Sequence, residues 1–346
     1  MRCDAGPVTG VGHLVRCVAL AEEFVGRGAR VEFLSNVGDV PWARRQLSVR
    51  GLPLRPGPRT APDLLAAVRD GGFDLVVIDS YDLDPACGVA LRAAGVPVVG
   101  IVDGESRGQV ADLYVDQNLD AEFLPVPLPP GARRLAGLPY ALLRDSVRAL
   151  RPPAPPAHRG GGPPRVLCFF GGTDAYGAAP AMTGLLAATG VPFVATVVAG
   201  RPELAGAVAG VPLRPGQAVS VIEPTDDLPA LVTAADVVVS AAGTSTWELL
   251  CLGAPAAVVW VVDNQRQGFD RVVARRLAVG LGRLAELAEA GTAATFAVDM
   301  LRAILQGPEV RAELAARAWA AVDGRGRARV VDAAEILVKE KSGKCL

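Results

Sequence analysis

Short apolar runs recur along the chain, and most of them show no alternation of polar and apolar residues. Before residue 150 they occur at residues 31–35, 75–79, 96–103 and 113–116. After residue 164 they occur at residues 166–171, 193–199, 219–223, 237–241 and 256–262. Strands of a parallel sheet are buried on both faces and read as continuous apolar runs, and helical stretches separate several of these runs. The pattern therefore predicts two doubly wound α/β domains.

The boundary between the two domains is predicted at residues 151–164, where six prolines and three glycines fall within fourteen residues. Such a segment continues neither a helix nor a central strand. We therefore expect an N-terminal domain at 1–150, a linker at 151–164 and a C-terminal domain at 165–346, with the helices after about residue 265 covering the second sheet. Ligands of such sheets bind beyond the carboxyl ends of the strands, which predicts a cleft between the domains.

A glycine turn follows the first extended segment, residues 1–5, and opens a helix at about His13. Gly10 and Gly12 lie in this turn, and glycine lets a backbone approach a ligand closely. A helix start carries partial positive charge, and histidine is suited to proton transfer near neutral pH. The alternative is a tight turn between strand and helix that carries an incidental histidine.

Three more loops at predicted strand ends carry polar residues, at residues 79–81, 171–174 and 242–248. In the last two, glycine and hydroxyl residues stand where a helix begins, which is the arrangement that holds phosphate. Glu248 follows Ser245 by three positions, so it is either the partner in a capping box or a ligand contact. Asp79 and Asp103 also end strands, and for them helix capping or polar positioning is favoured over metal binding.

Asn264 and Gln265 end the last predicted strand, which we expect to lie opposite the nucleotide loops. They either bind a polar substrate or cap a helix. The chain has no Walker lysine motif and no GxGxxG fingerprint, which disfavours an ATPase or an ordinary dehydrogenase. No cluster of histidine, cysteine and carboxylate residues has ligand spacing, so we expect no metal and no cofactor.

Composition narrows the function further. The 346 residues predict about two domains, and 35 basic residues nearly balance 36 acidic ones, so nucleic acid is not an expected partner. The apolar runs are too short to span a bilayer, and the N-terminus lacks the apolar core of a signal peptide. Six scattered cysteines without a CxxC pair disfavour zinc and disulfides and suit a cytoplasmic protein. We expect a monomer, although the sequence does not define the oligomeric state.

An ordered set of motifs in both predicted domains resembles one enzyme family. The motifs are Arg2-Cys-Asp4, Gly10-Val-Gly-His-Leu-Val-Arg-Cys17, Asp79-Ser-Tyr81, Phe170-Gly-Gly-Thr-Asp174, Ala242-Gly-Thr-Ser-Thr-Trp-Glu248 and Asn264-Gln265. They resemble the UDP-sugar hydrolase of pseudaminic acid biosynthesis and the related spore-coat polysaccharide biosynthesis proteins. The resemblance implies the two-domain glycosyltransferase-B fold. The family usually has a full first strand before the Arg-x-Asp segment, so the first strand is short here or the start lies upstream.

The resemblance also implies roles for individual residues. The second domain would bind UDP, with Glu248 on the ribose. The residues implied at the diphosphate are Gly171, Gly172, Thr173, Gly243, Thr244 and Ser245. The first domain would bind the sugar, and the residues implied as sugar contacts are Asp4, Gly10, Gly12, Arg16 and Gln265. His13 would deprotonate the attacking water, Tyr81 and Asn264 would orient sugar and water, and no metal would take part.

The function predicted from these observations is hydrolysis of a nucleotide sugar. The substrate would be UDP-2,4-diacetamido-2,4,6-trideoxy-β-L-altropyranose or a relative, and the products would be UDP and the free sugar. The alternative is an inverting glycosyltransferase that uses the same base and the same UDP-binding residues, with an acceptor hydroxyl in place of water. A third interpretation is a nucleotide-sugar-binding protein without catalytic activity.

Overall fold

The computed structural model describes residues 1–6, 10–38, 40–157, 161–172, 174–287 and 291–343. The chain forms two compact units, of which the first comprises Met1–Asp145 together with Gly324–Leu346 and the second comprises Ser146–Asp323. Each unit contains a parallel sheet with helices, as the apolar runs predict. Within the described ranges, no helix combines the length and the apolar character needed to cross a membrane.

The strands in chain order are β1 (Arg2–Cys3), β2 (Phe33–Leu34), β3 (Leu54–Arg55), β4 (Val76–Asp79), β5 (Val98–Ile101), β6 (Leu113–Asp116), β7 (Arg133–Ala136), β8 (Arg165–Phe169), β9 (Phe193–Val198), β10 (Gln217–Ile222), β11 (Val237–Ala241), β12 (Ala256–Trp260) and β13 (Val279–Arg283). The main sheet of the first unit has the order β1-β4-β5-β6-β7. The parallel pair β2-β3 lies beside it, because the Leu34 N–H donates to the Met1 carbonyl at 2.8 Å. The sheet of the second unit has the order β10-β9-β8-β11-β12-β13.

The helices in chain order are α1 (Gly12–Gly26), α2 (Pro41–Ser48), α3 (Ala61–Gly71), α4 (Ala86–Ala93), α5 (Asp145–Arg148), α6 (Ala178–Ala188), α7 (Pro202–Ala209), α8 (Leu228–Ala234), α9 (Ser245–Leu252), α10 (Arg266–Ala274), α11 (Leu284–Leu287), α12 (Thr292–Gln306), α13 (Pro308–Ala321) and α14 (Gly326–Lys341). Short 3₁₀ turns lie at Ala121–Phe123, Leu138–Tyr140 and Asp263–Gln265. Most helices follow a strand, which is the connection that a parallel sheet needs.

The apolar runs predict the bounds of several strands to within one residue and do not predict other strands at all. The strands β6 and β11 have the predicted bounds, and the runs at 75–79 and 193–199 differ from β4 and β9 by one residue. The structure also contains β3, β7 and β13, which the apolar pattern does not predict. All three begin or end in arginine, and β13 also contains two glycines, so none of them reads as a continuous apolar run.

The last helix belongs to the first unit, whereas the sequence assigned everything after residue 164 to the second domain. Its apolar face, with Val330, Val331 and Leu337 buried, packs into the core that contains Leu14 and Val18 of α1. On the same helix, the buried Arg327 forms ion pairs with Glu22 at 2.9 Å and Glu23 at 3.0 Å. The helix therefore covers the sheet of the first unit and not that of the second.

The proline-rich segment begins as an ordered part of the second unit, although the sequence predicts a linker there. The Arg151 guanidinium donates to the carbonyls of Cys251 at 2.5 Å and Trp319 at 2.9 Å. The Trp319 indole N–H in turn donates to the Pro152 carbonyl at 2.9 Å. These hydrogen bonds attach the first residues of the segment to α9 and α13, and residues 158–160 lie outside the described ranges.

Candidate functional site

The predicted glycine turn forms at the start of α1. Gly10 has a φ of 75°, in the left-handed region that favours glycine, and its N–H donates to the Gly6 carbonyl at 2.8 Å. Gly12 is the first residue of α1, and Val11, the N-cap, forms no side-chain capping bond. His13 is therefore the second residue of the helix and lies at the end that carries partial positive charge.

His13 is paired with Asp79 at the carboxyl end of β4. The Nδ1 atom of His13 lies 2.5 Å from Oδ1 of Asp79, and the two side chains are 7% and 0% exposed. An ionised carboxylate can only accept, so this contact places the proton of neutral imidazole on Nδ1. The Nε2 atom then presents its lone pair, which is the arrangement of a general base held by a carboxylate.

Arg16 holds this carboxylate from the next turn of α1. Its Nε and Nη2 atoms donate to Asp79 at 3.0 and 2.8 Å, and its Nη1 donates to Asp103 at 2.7 Å. Nη2 also lies 3.1 Å from Nδ1 of His13, but the proton on Nδ1 leaves the Asp79 oxygen as the acceptor for both groups. Burial alone lowers the pKa of Arg16, and the charges of Asp103 and Asp79 raise it well above its ordinary value.

Tyr81 completes the cluster around the imidazole. Its ring meets that of His13 edge to face with centroids 4.5 Å apart, and its hydroxyl donates to Asp103. Asn118 also donates to Asp103, at 2.9 Å. Burial would raise the pKa of Asp103, but the charge of Arg16 and the hydrogen bonds from Arg16, Tyr81 and Asn118 hold it well below its ordinary value. Burial and the neighbouring Asp103 charge raise the pKa of Tyr81, so its hydroxyl stays protonated at neutral pH.

Asp4, predicted as a sugar contact, braces the first strand. Both of its oxygens accept from the buried Arg2 guanidinium, at 2.6 and 3.0 Å, and Oδ1 also accepts from the Asn36 N–H at 2.8 Å. Arg2 in turn donates from Nε to the Pro58 carbonyl at 2.9 Å. These bonds fix the loop after β2 against the end of β1.

In the second unit, the loop after β8 binds its own helix start. Gly171 has a φ of 84°, and Thr173, predicted at the diphosphate, lies outside the described residues. The Asp174 carboxylate accepts from the N–H groups of Ala178 at 2.8 Å and Ala179 at 2.9 Å. The sequence predicts that this helix start holds phosphate, but a carboxylate of the chain already occupies these two N–H groups.

The loop after β11 leads into α9 without such a cap. The N-cap is Thr244, whose side chain forms no capping bond, and Ser245 is the first helical residue. The predicted capping box needs Ser245 at the N-cap and Glu248 three residues later, so the structure contradicts the capping interpretation. Thr246, in the first turn, is 3% exposed, and no described group hydrogen-bonds its hydroxyl.

Asn264 and Gln265 follow β12, which pairs directly with β11. They therefore lie beside the loop after β11, and the expectation that they lie opposite it is wrong. The Gln265 Oε1 accepts from the Val261 N–H at 3.0 Å, and a Cβ at Gly243 would lie 3.5 Å from the Gln265 Nε2. The structure thus joins His13, Arg16 and Tyr81 in the first unit and places Gln265 next to the glycine loop of the second.

Asn118 is a member of the first cluster that the sequence analysis does not identify. It follows Asp116 at the end of β6, and its Nδ2 also donates to Asp116 at 2.8 Å. The signal was the pattern already used for Asp79 and Asp103, namely polar residues directly after a buried strand. Among the described residues, no group of three or more histidine, cysteine or carboxylate side chains is arranged to hold a metal ion.

A cavity of about 370 Å³ lies in the first unit, away from this cluster. Its lining includes Met1, Val31, Phe73, Leu75 and Val338. Because Met1 and Leu75 precede β1 and β4, the cavity lies at the amino ends of these strands. His13, Asp79 and Tyr81 lie at the carboxyl ends, where ligands of parallel sheets bind.

Comparison with solved structures defines the fold. No protein-family model matches the chain, and no curated protein sequence matches it significantly. The structure is similar to MurG from Acinetobacter baumannii, with a TM-score of 0.72 and 17% identity over 96% of this chain and 98% of that one.

Two further structures have similar folds. A UDP-GlcNAc 2-epimerase from Neisseria meningitidis bound to UDP-GlcNAc gives a TM-score of 0.63 at 13% identity, covering 95% of this chain and 97% of that one. The spinosyn rhamnosyltransferase SpnG complexed with spinosyn aglycone gives 0.60 at 17% identity, covering 96% and 100%. The predicted fold class is confirmed, because the chain has the two-domain α/β architecture of the glycosyltransferase-B fold.

Proposed function

We propose that the chain is an enzyme that breaks the bond between the anomeric carbon and the diphosphate of a nucleotide sugar, with His13 as the general base. The observation that carries this proposal is the buried contact of 2.5 Å between His13 and Asp79. It fixes the imidazole in the tautomer that leaves Nε2 ready to accept a proton. Arg16 fixes Asp79 in turn, so the base is held in a single orientation.

In the proposed reaction, Nε2 of His13 takes the proton of the attacking hydroxyl. The hydroxyl oxygen forms a bond to the anomeric carbon while the bond from that carbon to the diphosphate oxygen breaks. The nucleoside diphosphate leaves with the electron pair of that bond. Asp79 stabilises the imidazolium that forms, and Tyr81 packs against the ring that changes charge.

The second unit is proposed to bind the nucleotide, which we take to be UDP. The uncapped start of α9 supports this role, since helix starts attract anions and Gly243 lets a ligand approach the backbone. Glu248 is proposed to bind the ribose hydroxyls, with Gly171, Gly172, Thr244 and Ser245 near the diphosphate. The fold likeness to an epimerase bound to UDP-GlcNAc supports the choice of nucleotide.

Water is the proposed attacking group, and the proposed sugar is a UDP-linked diacetamido-trideoxy sugar used in surface polysaccharide or nonulosonic acid biosynthesis. Support for both comes from the ordered motifs, from Arg2 to Gln265, that resemble the UDP-sugar hydrolases. Gly10, Gly12 and Gln265 are the proposed sugar contacts, and Asn264 is proposed to orient the water. Since Asp4 and Arg16 are engaged within the chain, we propose that they act by shaping the site.

Transfer to an acceptor hydroxyl is the second candidate. The observation that favours it is the likeness of the whole fold to a rhamnosyltransferase. The same base would then deprotonate an acceptor alcohol. Hydrolysis and transfer differ only in the origin of the oxygen that becomes bonded to the anomeric carbon.

The test is incubation with a panel of UDP-sugars in oxygen-18-labelled water, with and without a cell extract as the source of acceptors. Hydrolysis releases UDP without extract and places the heavy oxygen on the anomeric carbon of the free sugar. Transfer releases UDP only with extract and leaves the label in water. The His13→Asn variant is the control for contaminating activity. Absence of UDP release under both conditions would overturn the proposal.

A further inference from the structure

Arg201 lies next to the glycine loop of the second unit and was not identified from the sequence. It follows β9 by three residues and is the N-cap of α7. A Cβ at the preceding Gly200 would lie 2.9 Å from Pro224 and 3.6 Å from the Gly172 carbonyl. The loop after β9 therefore packs against the loop after β8, at the carboxyl ends of neighbouring strands.

Only part of the Arg201 guanidinium forms hydrogen bonds or ion pairs with the described residues. Its Nη2 donates to the Asp174 carbonyl at 2.7 Å, and its Nη1 lies 3.6 Å from the exposed carboxylate of Glu203. Its Nε–H is buried, and no described atom accepts from it. The side chain as a whole is 40% exposed, so the charge of the guanidinium is accessible to a partner that the chain itself does not supply.

The charge at this edge points to an anion as that partner. The Asp174 carboxylate accepts from the first N–H groups of α6, so this helix start is not available to a phosphate. A phosphate bound at the loop after β8 therefore needs positive charge from another group. Arg201 is fixed on the backbone carbonyl of Asp174.

We propose that Arg201 binds the diphosphate of the nucleotide through the exposed part of its guanidinium. This inference rests on the proposed function, because it assumes that the second unit binds a nucleoside diphosphate. The planar guanidinium matches phosphate oxygens, and such charge-assisted bonds are short and strong. Arg201 thus supplies positive charge next to the loop after β8, where the Asp174 carboxylate occupies the N–H groups that could otherwise bind a phosphate.

The test is calorimetric titration of wild type with uridine, UMP and UDP, repeated with Arg201→Ala and Arg201→Lys. We expect Arg201→Ala to weaken UDP binding about 10- to 100-fold, the range for a lost hydrogen bond to a charged group, and to leave uridine binding unchanged. Arg201→Lys retains the charge but lacks the fork, so its loss should be intermediate. The ratio of UDP to uridine affinity is unaffected by partial misfolding of a variant.

The matched control is Arg317→Ala, which removes a partly exposed arginine paired with Glu313 on α13 of the same unit. Its UDP affinity should equal that of wild type. An unchanged ratio of UDP to uridine affinity in Arg201→Ala would overturn the inference and show that Arg201 only braces the Asp174 carbonyl. A wild-type protein that binds none of the three ligands would instead overturn the proposed function itself.

Discussion

His13 Nδ1 and Asp79 Oδ1 lie 2.5 Å apart although the residues are separated by 66 positions in the chain. The parallel pairing of β1 with β4 explains the contact, because Cys3 is in register with Asp79 and the loop after β1 leads into α1. Arg16, one turn further along α1, donates twice to the same carboxylate. The sheet and one helix thus position a histidine, its carboxylate and the cation that neutralises that carboxylate.

We predict that His13→Asn and His13→Ala lose turnover by about 10²- to 10⁴-fold, the usual contribution of a positioned general base. UDP affinity should change little, because the proposed UDP contacts belong to the second unit. Turnover, melting temperature and UDP affinity are to be measured on the same preparations.

Asp79→Asn is the companion variant, since an amide at this position can accept from Nδ1 but can also present its N–H₂ and reverse the tautomer. We expect it to lower turnover while uridine and UDP affinities stay at the wild-type level. A folded His13→Asn protein that binds UDP and turns over within a few-fold of wild type would contradict the assignment. It would move the role of base to Asp103, the other carboxylate held by Arg16.

UDP is predicted to bind and stabilise the native protein. A ligand that binds only the folded state raises the free energy of unfolding by about 2.7 kcal/mol at a hundredfold excess over its Kd. Thermal unfolding with UDP and with CDP measures this effect and its base preference. The absence of a shift with every nucleoside diphosphate would count against a nucleotide-sugar enzyme.

Glu248→Ala separates ribose binding from a structural role. We expect weaker UDP binding, because α9 begins at Ser245 with Thr244 as its N-cap, so Ser245 is not the N-cap of a capping box with Glu248. Glu248→Gln is the matched control, since it retains the shape and one acceptor oxygen. A lower melting temperature with intact UDP affinity would show that Glu248 only supports the helix.

The sequence predicts the sheets better than it predicts which helices cover them. The runs that form β6 and β11 are continuous and largely apolar, so their composition alone predicts strands that are buried on both faces. The face of α14 with Val330 and Leu337 has helical spacing whichever sheet it meets. Packing against α1 determines which sheet α14 covers. That contact joins residues about 300 positions apart, such as Arg327 and Glu23, and short-range sequence patterns do not reveal it.

In the candidate site, too, local sequence identifies individual residues, whereas long-range packing determines which of them meet. His13, Asp79 and Tyr81 could be identified because each lies in a polar loop directly after a predicted strand. Their pairing could not, because it depends on strand order: β4 lies between β1 and β5 in the sheet. The cap on α6 was missed for a related reason. Asp174 lies in the glycine motif, and only its left-handed backbone, with a φ of 42°, turns its carboxylate back to Ala178.

Activity is predicted to survive chelation by EDTA. Helix starts and the Arg201 guanidinium can offset the charge of a leaving diphosphate without a cation. Turnover with EDTA should match turnover in untreated buffer, and added Mg²⁺ should not increase it. Complete loss of turnover in EDTA, with recovery on addition of Mg²⁺ or Mn²⁺, would contradict this prediction.

The last prediction concerns Asp112, which attaches α14 to the first sheet. Its carboxylate accepts from Arg92 Nε at 2.7 Å, Lys341 Nζ at 2.8 Å and the Val98 N–H at 2.9 Å. Burial would raise the pKa of Asp112, but the hydrogen bonds from Lys341, Val98 and Arg92 hold it below its ordinary value. The ionised form is therefore the one that stabilises the fold.

A carboxylate whose pKa is lowered on folding stabilises the protein above its unfolded pKa of about 3.9, and this stability is lost as the pH falls through the folded pKa. Asp112→Asn and Lys341→Met should each lower the free energy of unfolding at pH 7 by about 1.5–3 kcal/mol, the range for a hydrogen bond to a charged group. The difference between wild type and Asp112→Asn should shrink below about pH 4. Urea unfolding from pH 7 to pH 3 measures it, with Lys339→Met, an exposed neighbour on α14, as the control. An acid dependence in Asp112→Asn equal to that of wild type would show that other carboxylates govern acid unfolding.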